Sequence, residues 1–337
     1  MWFIDTSLSD WLKHKDSQDL QTEQEVPTLF REPYIKFGYR RPHQPLIYYF
    51  KSLFQFHNET LNVWTHGLGC LVVLWKSIQY CYHLDFNDQF CKIFFLFCFS
   101  SCVYLLLSML AHLLHSHSDL MHHVSFFFDY MGVSVYGLGG SIGCFFLASD
   151  PEFLSYIKAF YMPLAWTFTF LTCACCTYAK YRYQRPYPPM RKVWQMLPAA
   201  SGYMMAMSPL VHRMSSGLTK LSLDGSERLH AAQMCLFVIS SFFFSVPFPQ
   251  KWTPGRFDIL GHSHQLFHVF MVGSTSCLMD ALFLDLKQRR NVYSDIFEPT
   301  SFDVYGYMIA LIAADLVIIM VFRELTKHKI KKEKEQD

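Results

Sequence analysis

"GHSHQLFHVFMVGSTSCLMDALF", residues 261–283, decides the architecture. The run around it, 259–284, is apolar for the length of a bilayer-crossing helix, which takes roughly 20 residues. Yet it carries His264 and His268, four apart and so on one face of a helix. Imidazoles inside a membrane segment are costly unless partnered or put to use. Two questions follow: how many such segments the chain has, and what meets this pair.

The chain has 337 residues, 52% hydrophobic and 18% aromatic. Ordinary globular chains run at roughly 45–50% apolar, so the distribution matters more than the total. Charges crowd into short segments, and about eight apolar runs between them reach bilayer-crossing length. They lie near 62–82, 91–113, 123–148, 156–177, 192–211, 230–248, 259–284 and 303–322. The expected fold class is an all-α polytopic membrane protein, a seven-helix bundle with an additional eighth C-terminal transmembrane helix. Its expected organisation is a cytoplasmic N-terminal arm (1–60), the bundle with its metal site (61–285), an outer loop with the eighth helix (286–323), and a basic cytoplasmic tail (324–337). The polar first sixty residues lack the apolar core of a signal peptide, so the first membrane helix is expected to direct its own insertion. The net charge of +2 singles out no partner class, and no nucleic acid is expected.

Lysine and arginine near membrane ends mark the cytoplasmic side. With the N-terminus inside, about 20 basic residues fall on inner segments against about 8 outside, which puts both termini in the cytoplasm. Asn58-Glu59-Thr60 is a glycosylation sequon and argues the other way, since it has meaning only on the lumenal side. The eleven cysteines form no secreted framework. Cys173 and Cys176 read as apolar filler, while Cys81 and Cys91 flank a short outer loop and are placed to pair. The most basic loop, "YAKYRYQRPYPPMRK" (178–192), reads first as a topology determinant, with binding of anionic headgroups or a partner as the functional alternative.

With that orientation, the intramembrane polar groups of four helices fall at one depth. The second helix ends with Ser108 and His112 on one face, and the third carries Asp129 about two turns in from the same side. The seventh begins with His264 and His268. The first presents Glu59, Asn62 and His66 as a single stripe. Three histidines and a carboxylate suit a catalytic zinc site, three protein ligands with the fourth position open to water. The expected ligands of Zn²⁺ are His112, His264 and His268, with Asp129 reaching the ion through water and Ser108 beside it. If the protein is a hydrolase, Asp129 and Ser108 are its candidate catalytic residues. His66 is the runner-up ligand, but Glu59, Asn62 and His66 read first as supports that tie the first helix to the bundle. His262 is out of register with the pair. His115, His117, His122 and His123 cluster in the loop after the second helix, where interfacial solvation is expected. Gly139 and Gly143 suggest close helix packing. Pro198, Pro209 and Pro247 are expected to kink the fifth and sixth helices. Asp280 and Asp315 lie too far outward to join the metal.

The blocks "FHNETLNVWTH", "SMLAH" with "FFFDYMGVSVY", and "PGRFDILGHSHQLFH" resemble the three signature motifs of the progestin and adipoQ receptor family. "LFREPYIKFGYR", the loop 178–192 and an eighth helix are similar to its progestin-receptor branch. The resemblance implies a seven-helix bundle around an intramembrane zinc, with His112, His264 and His268 at the metal positions and Asp129 contacting it through water. It implies a steroid or sphingolipid ligand among membrane lipids, ceramidase-type activity in the adiponectin branch, and G-protein signalling in the progestin branch. Plasma membrane is the expected location, with internal membranes the alternative. The D-R-Y and N-P-x-x-Y motifs of rhodopsin-like receptors are lacking. Three functions therefore stand: a steroid-responsive receptor, a zinc-dependent hydrolase of a ceramide-like amide, and a structural zinc that only staples helices.

Overall fold

A computed structural model describes residues 20–219, 223–294 and 298–336. The first 19 residues of the expected arm lie outside the described residues. After a two-stranded antiparallel hairpin, β1 (Leu20–Thr22) and β2 (Phe37–Arg40), the described chain is helical. A short α1 (Leu46–Ser52) precedes eight long helices: α2 (Thr60–Cys81), α3 (Gln89–Leu114), α4 (Asp119–Gly143), α5 (Pro151–Arg182), α6 (Pro189–Thr219), α7 (Gly225–Ser245), α8 (Ser263–Ser294) and α9 (Tyr307–Lys334). This is the all-α, polytopic membrane architecture expected from the apolar runs.

Six of the eight, α3, α4, α5, α7, α8 and α9, are both long and apolar enough to cross a membrane by a strict criterion. The other two match them in length, but α2 carries Asn62, His66 and Lys76, and α6 carries Arg191, Lys192, His212 and Arg213. Asn62, Lys76, Lys192 and Arg213 have hydrogen-bond partners inside the bundle, which is why a hydropathy average undervalues both helices.

Local chemistry sets the helix starts. Asp88 caps α3 by accepting from the Phe90 amide at 3.0 Å, and Ser118 caps α4 from the Met121 amide at 3.1 Å. Asp224 and Glu227 form a reciprocal capping box on α7, at 2.8 and 2.9 Å. Pro198 and Pro209 lie inside α6, whereas Pro247 falls beyond Ser245. Proline there ends the helix rather than kinking it.

Helices α2 to α8 close into a ring through contacts of α8 with α2, and α9 packs outside against α4 and α5. Glycine lets two of these contacts tighten. A Cβ on Gly139 would lie 2.7 Å from Ser100 Cβ of α3, and one on Gly143 would lie 2.8 Å from Leu282 Cδ1 of α8. The G-x-x-x-G thus serves two neighbours at once. Helices α6 and α7 touch only sparsely along their length. They are tied at the ends, by Lys192 donating to the Phe244 carbonyl (2.7 Å) and by Arg213 on Asp224 (2.9 Å) and Ser226 (2.7 Å).

Both described ends of the chain gather at one end of the bundle. Arg185, in the loop after α5, meets Glu32 of the arm at 2.6 Å, and Gln184 meets Glu333 of α9 at 3.0 Å. The basic loop 178–192 is therefore largely spent on internal ties. Cys81 and Cys91 are separate thiols, not a disulfide.

Candidate metal centre

α8 begins where it does because side chains replace the missing helical partners. Gln250 accepts from the Ser263 amide (2.9 Å) and donates to its hydroxyl (2.7 Å), while Gln265 accepts from Gly261, a residue at φ +86°. One turn of α8 then points His264 and His268 at the C-terminal end of α3, where His112 stands. His264 Nε2 lies 3.2 Å from His112 Nε2, and one ligand nitrogen from each of the three rings lies within 4.8 Å of the others. His112 and His268 are buried and His264 half-buried.

The outer faces of the rings are committed. His112 Nδ1 sits 2.8 Å from Glu59 Oε2, and His268 Nδ1 sits 3.1 Å from the Asn62 carbonyl oxygen. A carbonyl only accepts, so His268 donates from Nδ1 and keeps its Nε2 lone pair for the interior. The carboxylate imposes the same tautomer on His112. Two imidazole lone pairs 3.2 Å apart repel unless a proton or cation lies between them. With Zn–N bonds of about 2.0–2.1 Å, a tetrahedral edge is about 3.3 Å, so the His112–His264 separation matches that edge, and three imidazoles are donors of the kind that hold zinc. Carboxylate and carbonyl partners behind metal-binding histidines are the usual means of orienting them.

The α2 stripe supplies these supports. Glu59 is buried and receives the Asn62 amide at 2.6 Å besides holding His112. Thr65 Oγ1, which the sequence reading passed over, lies 3.4 Å from His268 Nδ1. His66 behaves differently: it stacks flat on His268, 3.7 Å between centroids, and neither of its nitrogens has a hydrogen-bond partner among the described residues. Asp129, half-buried on α4, interacts with the Ser108 hydroxyl and, at longer range, with His112. His262 points away, to the Asn58 carbonyl at 3.1 Å.

The loop histidines correct an expectation. His115, His122 and His123 are buried rather than solvated, and His117 bonds the Gln44 carbonyl at 2.8 Å. The arm folds over them, with Phe30 edge-on to His122 at 5.3 Å. His115 reaches Glu59 at 3.5 Å, and His122 pairs with the buried Lys180 at 2.8 Å. Arg40, also missed, is buried and donates to the carbonyls of His112 (2.7 Å) and Leu113 (2.8 Å), closing the C-terminal end of α3. No spacing rule announces a residue 72 positions away. Asn58 of the sequon is itself buried, 4% exposed, its amide donating to Gly38.

Residues 54–279 match the haemolysin-III-related family model. The chain is 40% identical to membrane progestin receptor beta of Sus scrofa over 316 residues, 92% of this chain and 88% of that protein. It is 42% identical to the Mus musculus beta receptor over 282 residues, 83% and 79% of the two chains. To membrane progestin receptor alpha of Sus scrofa it is 34% identical over 307 residues, 91% and 87%. The chain belongs to this family. The progestin and adipoQ receptor motifs read from the sequence are thereby accounted for, and the family match spans every candidate residue from Glu59 to His268. The arm before residue 54 and helix α9 lie outside the family model, and the alignments to the receptors, at up to 92% of this chain, extend beyond that model.

Proposed function

We propose that the chain is a plasma-membrane receptor for a steroid of the progestin class, built around a zinc centre held by His112, His264 and His268. Support for the ligand class comes from relatives named membrane progestin receptors that align with nearly the whole chain. The observation that carries the metal is the convergence of three imidazole nitrogens within 4.8 Å. Zinc bound there supplies fixed positive charge and Lewis acidity. The protein's own residues set its surroundings: Glu59 orients His112, Asn62 orients His268, and Asp129 of α4, in contact with Ser108 of α3, lies within electrostatic reach of His112. Because the ligands and their supports come from α2, α3 and α8, a ligand that shifts α8 against α2 is felt at the centre.

The sparse seam between α6 and α7 supports a route for an apolar ligand. It holds an open apolar groove of about 530 Å³ lined by Tyr203, Met207, Met234 and Val238 among others. The reading places both termini in the cytoplasm on the strength of the basic bias. Output through a G protein follows from the family resemblance alone.

A second reading has a specific observation behind it. Asp129 beside the histidine triad is the carboxylate that a zinc-dependent amidase acting on a ceramide-like lipid requires as general base. One preparation decides among the readings. Purified, folded protein is expected to contain stoichiometric zinc and to bind labelled progestin saturably. Sphingoid-base release that disappears in Asp129→Asn, with zinc retained, selects the hydrolase. Zinc with neither binding nor turnover reduces the centre to a staple, and folded, metal-free protein overturns the proposal.

A further inference from the structure

The metal centre makes no use of α1, although α1 sits between two residues that hold His112. One face of this helix is fully buried. Tyr49 donates to the carbonyls of Arg41 (2.9 Å) and Ser116 (2.8 Å), and Ser52 accepts from Arg40 at 3.1 Å. The other face is apolar and bare. Ile47 is 61% exposed, Phe50 45%, and Phe54, just past the helix, 82%. Leu46, Phe50 and Phe54 follow i, i+4, i+8 spacing, and Ile47 joins Phe50 and Phe54 at i, i+3, i+7, all on one helical face. A contiguous apolar patch of this kind marks a surface that something covers.

Its neighbours identify the cover. The Phe54 ring meets Trp64 edge-on at 6.3 Å, and the Trp64 indole donates to the Leu53 carbonyl at 2.7 Å. Trp64 heads a stripe on α2 that continues through Leu68, Leu71 and Trp75, each more than half exposed. In a membrane-spanning helix that stripe faces lipid. The bare face of α1 is therefore continuous with the lipid-facing side of α2, at a level where an indole marks the boundary between water and hydrocarbon. Lys51, four residues from Ile47, is exposed at the rim, where basic side chains reach anionic headgroups.

We infer that α1 is an in-plane membrane anchor that sinks Ile47, Phe50 and Phe54 into an anionic bilayer surface at the metal end. Arg40 and Glu59 flank the anchored segment, and both hold His112, one by its carbonyl and one by its ring. The bilayer thus takes part in fixing the arm over the metal-binding residues.

The test uses full-length protein in nanodiscs of phosphatidylcholine with phosphatidylserine, the latter carrying a photoactivatable group, with crosslinks mapped by mass spectrometry. Crosslinks are expected within 46–54 as well as at Leu71 and Trp75, the built-in markers of a folded, inserted α2. The double substitution Ile47→Glu and Phe54→Glu should remove the first set several-fold and spare the second. Lys51→Gln should lower phosphatidylserine crosslinking at 46–54 at least twofold, without changing labelling by a phosphatidylcholine probe. Labelling of Leu71 and Trp75 with 46–54 unlabelled overturns the inference, and hands this face to a protein partner or to water.

Discussion

Lys76 of α2 places its ammonium 2.8 and 2.9 Å from the two carboxylate oxygens of Asp280 on α8, and Tyr80 donates to the same carboxylate at 2.5 Å. Ser276 accepts a further bond from the lysine at 2.6 Å. A charge that looked out of place in the first membrane helix is thus half of an interhelical clasp. Asp280, set aside from the metal on grounds of depth, is the other half. This clasp joins the two helices whose opposite ends carry Glu59, Asn62 and the candidate metal ligands His264 and His268.

Lys76→Met is expected to leave Asp280 without its cation and to cost about 1–3 kcal/mol. That is below the roughly 3–5 kcal/mol for breaking a fully buried pair, because both groups here keep some exposure. Lys76→Met combined with Asp280→Leu should recover most of the loss, since no lone charge remains. Thermal unfolding of purified protein in detergent measures both, and equal instability of the single and double variants would refute the clasp.

Glu59→Gln tests the orientation of His112. The amide cannot anchor Nδ1–H as a carboxylate does, so metal affinity should fall about 10–100-fold, with the fold retained. Competition with a chromogenic zinc chelator reads the change. His112→Ala should lose the metal outright and lower the melting temperature, as should prolonged chelation of the wild-type protein.

Close packing makes a paired prediction for two glycines of α4. A Cβ on Gly132 would lie 2.9 Å from the Tyr104 Cα, which is backbone and cannot step aside, whereas one on Gly140 meets only Leu278 Cδ2 at 3.9 Å. Gly132→Ala should destabilise by about 1–3 kcal/mol through overpacking. Gly140→Ala should be neutral or stabilising by up to about 1 kcal/mol, the helix-propensity gain.

The sequon should carry no glycan. Asn58 is buried beneath the arm and beside His262, so glycosidase treatment of protein from mammalian cells should leave its mobility unchanged. A sequon engineered on a polar insertion between α8 and α9 should become glycosylated if the metal end is cytoplasmic. Glycan at Asn58, with none at the insertion, would invert the proposed topology.

The sequence by itself determined the membrane class and the number of long helices, and it singled out the candidate triad His112, His264 and His268 with Asp129 and Glu59, because each of these is written in local pattern. Apolar run length reports a bilayer directly, and an i, i+4 histidine pair reports a shared helix face wherever the helix goes. Even the convergence of His112 with His264 followed from counting alternate crossings. Tertiary structure alone decided which supports those histidines have. Arg40, Thr65 and the buried loop histidines act through contacts with segments far away in the chain, and the Asn62 contribution to His268 is a backbone carbonyl, invisible in any side-chain pattern. Solvation was the wrong expectation for His115, His122 and His123 because a loop is exposed only until another segment covers it. Here the arm does so, through contacts that no periodicity encodes.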